Sequence, residues 1–223
     1  MRLRSFHRWH ALAMSVVVIL SASSGLLHTW MARHQSPPPP ARPVGAVDLT
    51  TVTFAPALLP GPAAGVSLRS IGGVTWWQVT PATAGPARWF DARTGIEDPT
   101  ADARYAAEIA CRSLGVEAVH QMRYLTAYDA EYIAIFRILP AYLFTNDDGL
   151  GTRVYVSTLT GSVTRLTDDA KQVEATTFSL LHKWMFIRDR NVRDWALMVA
   201  MGSLIALAVS GLVLFWRTRR TAN

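Results

Sequence analysis

The chain has 223 residues, half of them apolar and only 17% charged, a balance that points away from an ordinary water-soluble domain and toward a membrane. Its net charge of +6 would suit a nucleic acid, but Arg2, Arg4, Arg8, Arg217, Arg219 and Arg220 supply the whole excess, and between them 16 acidic side chains are balanced by 16 basic ones. The charge therefore speaks for no nucleic-acid partner, and the lone cysteine, Cys111, excludes an internal disulfide and reads as a small core residue of a helix.

The first apolar stretch runs from Trp9 to Met31 and the second from Trp195 to Trp216, and neither contains Asp, Glu, Lys or Arg. About 20 residues rising about 1.5 Å each cross a hydrocarbon core of about 30 Å, and Trp favours its two interfaces. Trp9 and Trp30 bracket the first stretch as Trp195 and Trp216 bracket the second, so transmembrane helices are expected over 9–31 and 194–216, with the lipid bilayer as partner. The arginines outside both stretches predict two cytoplasmic termini, 1–8 and 217–223, with the neutral middle on the far side. Ser21-Ala22-Ser23 offers a signal-peptide cleavage site, but the apolar pattern continues through Leu27 to Trp30, which favours a retained helix. Small residues such as Ser24, Gly25, Ser203, Ser210 and Gly211 let the two helices pack closely.

After the first span, five prolines between Gln35 and Pro43 predict a stiff polyproline II spacer within a linker over 32–47. A short helix is expected over 54–60, then strands over 66–69, 74–79 and 87–90, separated by Gly and Pro turns. Asp98 or Thr100 caps a helix over 101–113 whose Tyr105, Ile109 and Leu114 share one face, and Gly115 stops it. Strands follow over 119–124, 132–138 and 153–157, rich in β-branched and aromatic residues, with Asn146-Asp147-Asp148-Gly149 as a turn; that run lacks the alternating oxygen ligands of a calcium loop. The expected fold is α+β, a helix packed on antiparallel strands over 48–172, followed by an aromatic juxtamembrane helix over 173–193 lying in the interface.

Trp89-Phe90-Asp91-Ala92-Arg93-Thr94-Gly95 and Val154-Tyr155-Val156-Ser157-Thr158-Leu159-Thr160-Gly161 share one pattern: an apolar strand, a polar residue, two more, then Thr-Gly before a second strand. A helix, a strand and a strand ending in a Thr-Gly turn resemble the PepSY domain of protease propeptides and bacterial membrane proteins. The flanks, His7-Arg8-Trp9-His10, Ser24-Gly25-Leu26-Leu27-His28, Leu181-His182-Lys183-Trp184 and Ser210-Gly211-Leu212-Val213-Leu214-Phe215-Trp216, resemble the PepSY-associated transmembrane family. That resemblance implies a bacterial inner-membrane accessory of iron or siderophore uptake, with haem held between histidines and electrons delivered through it. Larger members carry more spans, which implies a second membrane subunit or a homodimer here.

Four of the six histidines, His7, His10, His28 and His182, lie at or near a span boundary. Interfacial anchoring is one reading; the other is haem ligation by facing imidazoles, with His28 and His182 as the pair at one rim. His10 and His28, 18 residues apart, share one helix face at opposite rims, so a second site at His10 would draw its other ligand from a second copy. His34 and His120 read as solvated. No phosphate loop, Gly-x-Ser-x-Gly elbow or Ser-x-x-Lys arrangement occurs, so a kinase or hydrolase has nothing to work with, and the remaining alternative is a non-enzymatic module that contacts or restrains a partner such as a protease.

Overall fold

The computed structural model describes residues 2–35, 45–83, 85–136 and 138–220. It divides into two compact units, one made from the two ends, 1–36 and 170–223, and one from the middle, 37–169. The Pro-rich spacer lies largely outside the described residues.

The middle unit is α+β. Strands β1 (Ala63–Ile71), β2 (Val74–Pro81) and β3 (Arg88–Asp91) form one antiparallel sheet, and β4 (His120–Leu125), β5 (Ala141–Thr145), β6 (Arg153–Ser157) and β7 (Ser162–Thr167) form a second, each in chain order. Gly72 and Gly73, at φ 57° and 80°, make the two-residue turn that pairs Ile71 with Val74, a backbone path that side chains with a Cβ resist.

Between the sheets in sequence stands the helix over Ala101–Leu114, which packs against both cores. Its first turn is held by Asp98, whose Oδ1 accepts from the Thr100 amide at 2.8 Å and the Thr100 hydroxyl at 2.7 Å. Gly115 ends it at φ 71°, donating to the Cys111 carbonyl at 2.8 Å. The sequence led us to expect one buried face, but the helix is buried on two. Ala106 and Ala110 meet Tyr142, Phe144, Val154 and Val156 of the second sheet, while Ala101 and Tyr105 meet Ile71, Ala87 and Trp89 beside the first. Alanines bring the helix backbone close to a sheet, and each large side chain so buried contributes about 1.5–3 kcal/mol. Cys111 is outside these clusters, half-buried, with its thiol toward the Glu117 carbonyl and its pKa raised by that burial.

The strand expected over 132–138 does not form. Asp129 Oδ1 accepts from the amides of Glu131 and Tyr132 at 2.9 and 2.6 Å and turns the chain. Tyr132 then buries its ring on Tyr155, centroids 4.7 Å apart, and its hydroxyl bonds the Ile138 carbonyl and the Thr164 hydroxyl, each at 2.8 Å. The segment is a cover over the outer face of the second sheet, where Leu125, Tyr132, Ala141, Leu143 and Tyr155 make a separate core. The strand actually present is β5, which pairs with β4 and β6.

The other unit contains α1 (Arg2–His34), α3 (Asp169–Leu181, whose first residue belongs to the middle unit) and α4 (Arg190–Arg220); the helix over Ala101–Leu114 is α2. Both α1 and α4 are long and apolar enough to cross a membrane. Leu12, Ile19, Leu26, Ile205 and Leu212 point outward from them, unlike the side chains of a core helix in a soluble protein. Helix α1 runs unbroken through Ser21-Ala22-Ser23. The juxtamembrane helix is shorter than the expected 173–193: α3 stops at Leu181, Trp184 takes a positive φ of 50°, and α4 starts afresh at Arg190.

Candidate functional site

Two short polar interfaces hold the helical unit together, and each contains two of the rim histidines. At the N-terminal end of α1, His7 Nδ1 lies 2.8 Å from Ser210 Oγ and His10 Nε2 lies 3.0 Å from the Ser203 carbonyl, both on α4. Gly211 makes room for the first contact, since a Cβ there would stand 3.2 Å from His7 Cε1. At the other end, α3 runs against α1 through residues four apart, the spacing that puts them on one helical face. Glu174 Oε1 lies 2.5 Å from His28 Nδ1, Glu174 Oε2 accepts from Gln35 Nε2, and His182 Nδ1 lies 3.3 Å from Ser24 Oγ. Phe178 lies between the two histidines, its ring 4.9 Å from His28 and 4.6 Å from His182 by centroids.

Each of these histidines has one ring nitrogen on a polar partner. Ser24 Oγ donates its only proton to the Ser21 carbonyl at 2.9 Å, so toward His182 it accepts, and Nδ1 of His182 carries the proton. A carboxylate imposes the same state on His28. Both imidazoles therefore turn Nδ1 to a polar partner, and Nε2 meets none among the described residues. Ser210 Oγ likewise donates to the Leu207 carbonyl at 2.9 Å beside His7 Nδ1, and His10 donates through Nε2 to the Ser203 carbonyl; the other ring nitrogen of each meets no hydrogen-bond partner among the described residues.

The donor set suits a group with two axial imidazoles. The ring planes are set otherwise: His182 lies within 12° of parallel to Phe178 and His28 at 37°. To present their edges to one centre, the imidazoles must turn and Phe178 must leave the space between them. Among the described residues no cluster of three or more His, Cys, Asp or Glu side chains is arranged for a metal ion.

His34 ends α1 with Nδ1 on the Trp30 carbonyl at 2.7 Å, and His120 opens β4, exposed, 3.3 Å from Asp147. Asp148 closes its own loop, Oδ1 accepting from the Leu150 amide at 2.9 Å and the Thr152 amide at 3.4 Å, which is the turn the sequence indicated. In the middle unit an open groove over the Asp91–Gly95 turn is floored by Trp76, Ile96 and Pro99. Its acids are already engaged. The Arg88 guanidinium holds Glu97 below the usual carboxylate range, and the Thr100 hydroxyl and amide do so for Asp98.

Sequence reasoning missed two buried carboxylates. Glu174, almost fully buried, gave one signal, its spacing of four and eight residues before Phe178 and His182. Asp102 looked like an ordinary acid in a helix's first turn. It is instead buried at the junction of the two sheets, where burial pushes its pKa up against the opposing hydrogen bonds from Trp89, Tyr142 and Thr158. In a search against known proteins, no family model, no curated protein and no solved structure matches the chain significantly.

Proposed function

We propose that this is a two-pass protein of a bacterial inner membrane, with both termini cytoplasmic and a PepSY-like domain on the outer side, serving iron or siderophore uptake through a haem ligated by His28 and His182. The arginines at both ends and the balanced charge between the spans support the orientation. The paired Thr-Gly hairpins support the PepSY likeness: Gly95 and Gly161 each donate to the carbonyl four residues back, Asp91 at 2.8 Å and Ser157 at 3.0 Å, with φ of 74° and 64°.

One observation supports the haem assignment: two imidazoles, one on α1 and one just after α3, lie at the same end of α1, both with Nδ1 on a polar partner and Nε2 without one among the described residues. A haem bound there supplies one-electron chemistry, at a potential that axial ligands and their partners tune. Glu174 and Ser24 orient the ligands, and Glu174 also places a negative charge beside the His28 ring. The test is the visible spectrum of the detergent-purified protein, expressed with a haem precursor, oxidised and then reduced with dithionite. A Soret band that shifts on reduction and is lost in His28→Ala is the expected result; a colourless, folded protein overturns the assignment.

The packing of both imidazoles against Phe178, His182 stacked and His28 tilted, favours a second reading, in which the histidines glue α1 to α3 and α4 and the middle domain is a non-enzymatic module that contacts or restrains an extracytoplasmic protein. Capture of a protease by the colourless protein would support it.

A further inference from the structure

We infer that the edge of the middle domain around Asp169 rests on the lipid interface, through Ile133, Ile135 and Leu150. This goes beyond the proposed function and rests on only one part of it, that α1 and α4 cross a bilayer.

The chain leaves the domain at Asp169, the first residue of α3. Two loops are fastened to that exit. The Asp169 amide donates to the Leu150 carbonyl at 3.2 Å, and Arg153 bridges the exit to the cover segment, with Nη1 2.7 Å from Asp169 Oδ1 and Nε 2.8 Å from Glu131 Oε1. Both loops display large aliphatic side chains to solvent: Leu150 is 66% exposed, Ile135 69% and Ile133 46%.

The Asp129 turn, the buried Tyr132 and the Glu131 carboxylate, which also accepts from Tyr155 at 2.7 Å, fix the cover segment to the sheet. Ile133-Ala134-Ile135 follows directly, and all three are exposed, with Ala134–Phe136 forming a single helical turn. Aliphatic groups exposed beside the point where the chain departs for an apolar helical pair are suited to the apolar edge of the headgroup region. Three such side chains bury too little for a free domain to bind lipid but enough for one already tethered at the surface, where the second contact is intramolecular.

The test places single cysteines in a Cys111→Ser background of the full chain, labels them with the environment-sensitive dye NBD, and reconstitutes the protein in phosphatidylcholine vesicles with or without lipid carrying a nitroxide on its acyl chain. The sites are Ile135→Cys, Leu150→Cys, Ile96→Cys as an exposed site on the first hairpin, and Ile205→Cys within α4. The expected result is a blue shift and nitroxide quenching at 135 and 150, strong quenching at 205 and none at 96. Quenching at 205 with 135 indistinguishable from 96 overturns the inference while leaving the membrane reading intact. No quenching at 205 overturns both. A blue shift at 135 without lipid quenching assigns the patch to a contact within the chain or with a second copy and also overturns it.

Discussion

Trp89 donates its indole N–H to Asp102 Oδ1 at 2.8 Å, and Tyr142 donates its hydroxyl to Oδ2 of the same carboxylate at 2.9 Å. Trp89 belongs to the first sheet, Tyr142 to the second and Asp102 to the helix between them in sequence, so one buried carboxylate ties three elements. Replacing it with alanine leaves two buried donors without an acceptor, at about 1–3 kcal/mol each. Asp102→Ala should lower the denaturant midpoint of the middle domain in detergent-solubilised full chain by a corresponding few kcal/mol, read by tryptophan fluorescence.

The pH dependence of that carboxylate has a definite sign. Burial raises the pKa of folded Asp102 above its unfolded value, so the native state holds the proton more tightly. Its contribution is fully present below the ordinary carboxylate pKa of about 3.9 and is lost as pH rises through the raised folded value. Asp98, Glu97 and Asp129, held low by their hydrogen bonds, have the opposite trend. The informative quantity is therefore the difference between wild type and Asp102→Asn, whose amide does not titrate. Stability of the wild type relative to that variant should grow on acidification across this window, and a constant difference between pH 7 and pH 3 would count against a buried, titrating Asp102.

Much of the fold could be read from the chain because its signals were local. Gly72-Gly73 marked a hairpin, Gly115 a helix end, and Trp9, Trp30, Trp195 and Trp216 the ends of two apolar runs. The failures came where tertiary contacts decide. Residues 132–138 have strand-like composition, yet Asp129 captures two of the following amides and the segment becomes a cover. The run Ala141-Tyr142-Leu143-Phe144 is a strand buried on both faces, so it lacks the alternation that identifies a half-buried one. The histidines at the rims were visible; their partners Ser24, Glu174, Ser203 and Ser210 acquire meaning only when helices distant in sequence come together.

The repeated turn predicts two unequal penalties from one substitution. Gly95 and Gly161 both have positive φ, which costs an alanine about 1–2 kcal/mol. A Cβ at Gly95 also collides with the Phe54 ring, while one at Gly161 meets the Tyr105 hydroxyl at 2.7 Å, on a side chain that is itself buried. Phe54 is half-buried and held on both sides, its amide on the Ala92 carbonyl at 2.9 Å and its carbonyl accepting from the Trp77 indole at 3.0 Å, and the clash involves several ring atoms where that at Gly161 involves the tip of one side chain. Gly95→Ala should therefore destabilise the domain more than Gly161→Ala in parallel thermal melts.

The serine partners make the N-terminal helix contact separable from the histidines at the other end. Ser210→Ala removes the acceptor of His7 Nδ1–H but keeps the close approach that Gly211 allows, and interhelical hydrogen bonds in membranes average about 0.6 kcal/mol. A modest loss of resistance to denaturing detergent is expected, with the spectrum unchanged.

At the opposite end, Phe178 separates the two readings of His28 and His182. If the imidazoles serve as ligands, Phe178 must vacate the space between them, and Phe178→Ala should keep the Soret band and speed the uptake of added haem. His182→Ala should lose the low-spin spectrum as His28→Ala does, while His120→Ala, altering an exposed residue of the other unit, should not. If the imidazoles instead only join helices, none of these proteins will take up haem, and Phe178→Ala will loosen the packing of α3 on α1 because two imidazole rings lose their shared neighbour. Haem titration of the wild type and Phe178→Ala, alongside detergent denaturation of both, distinguishes the outcomes: faster uptake supports ligation, and destabilisation without uptake assigns the four histidines to helix assembly.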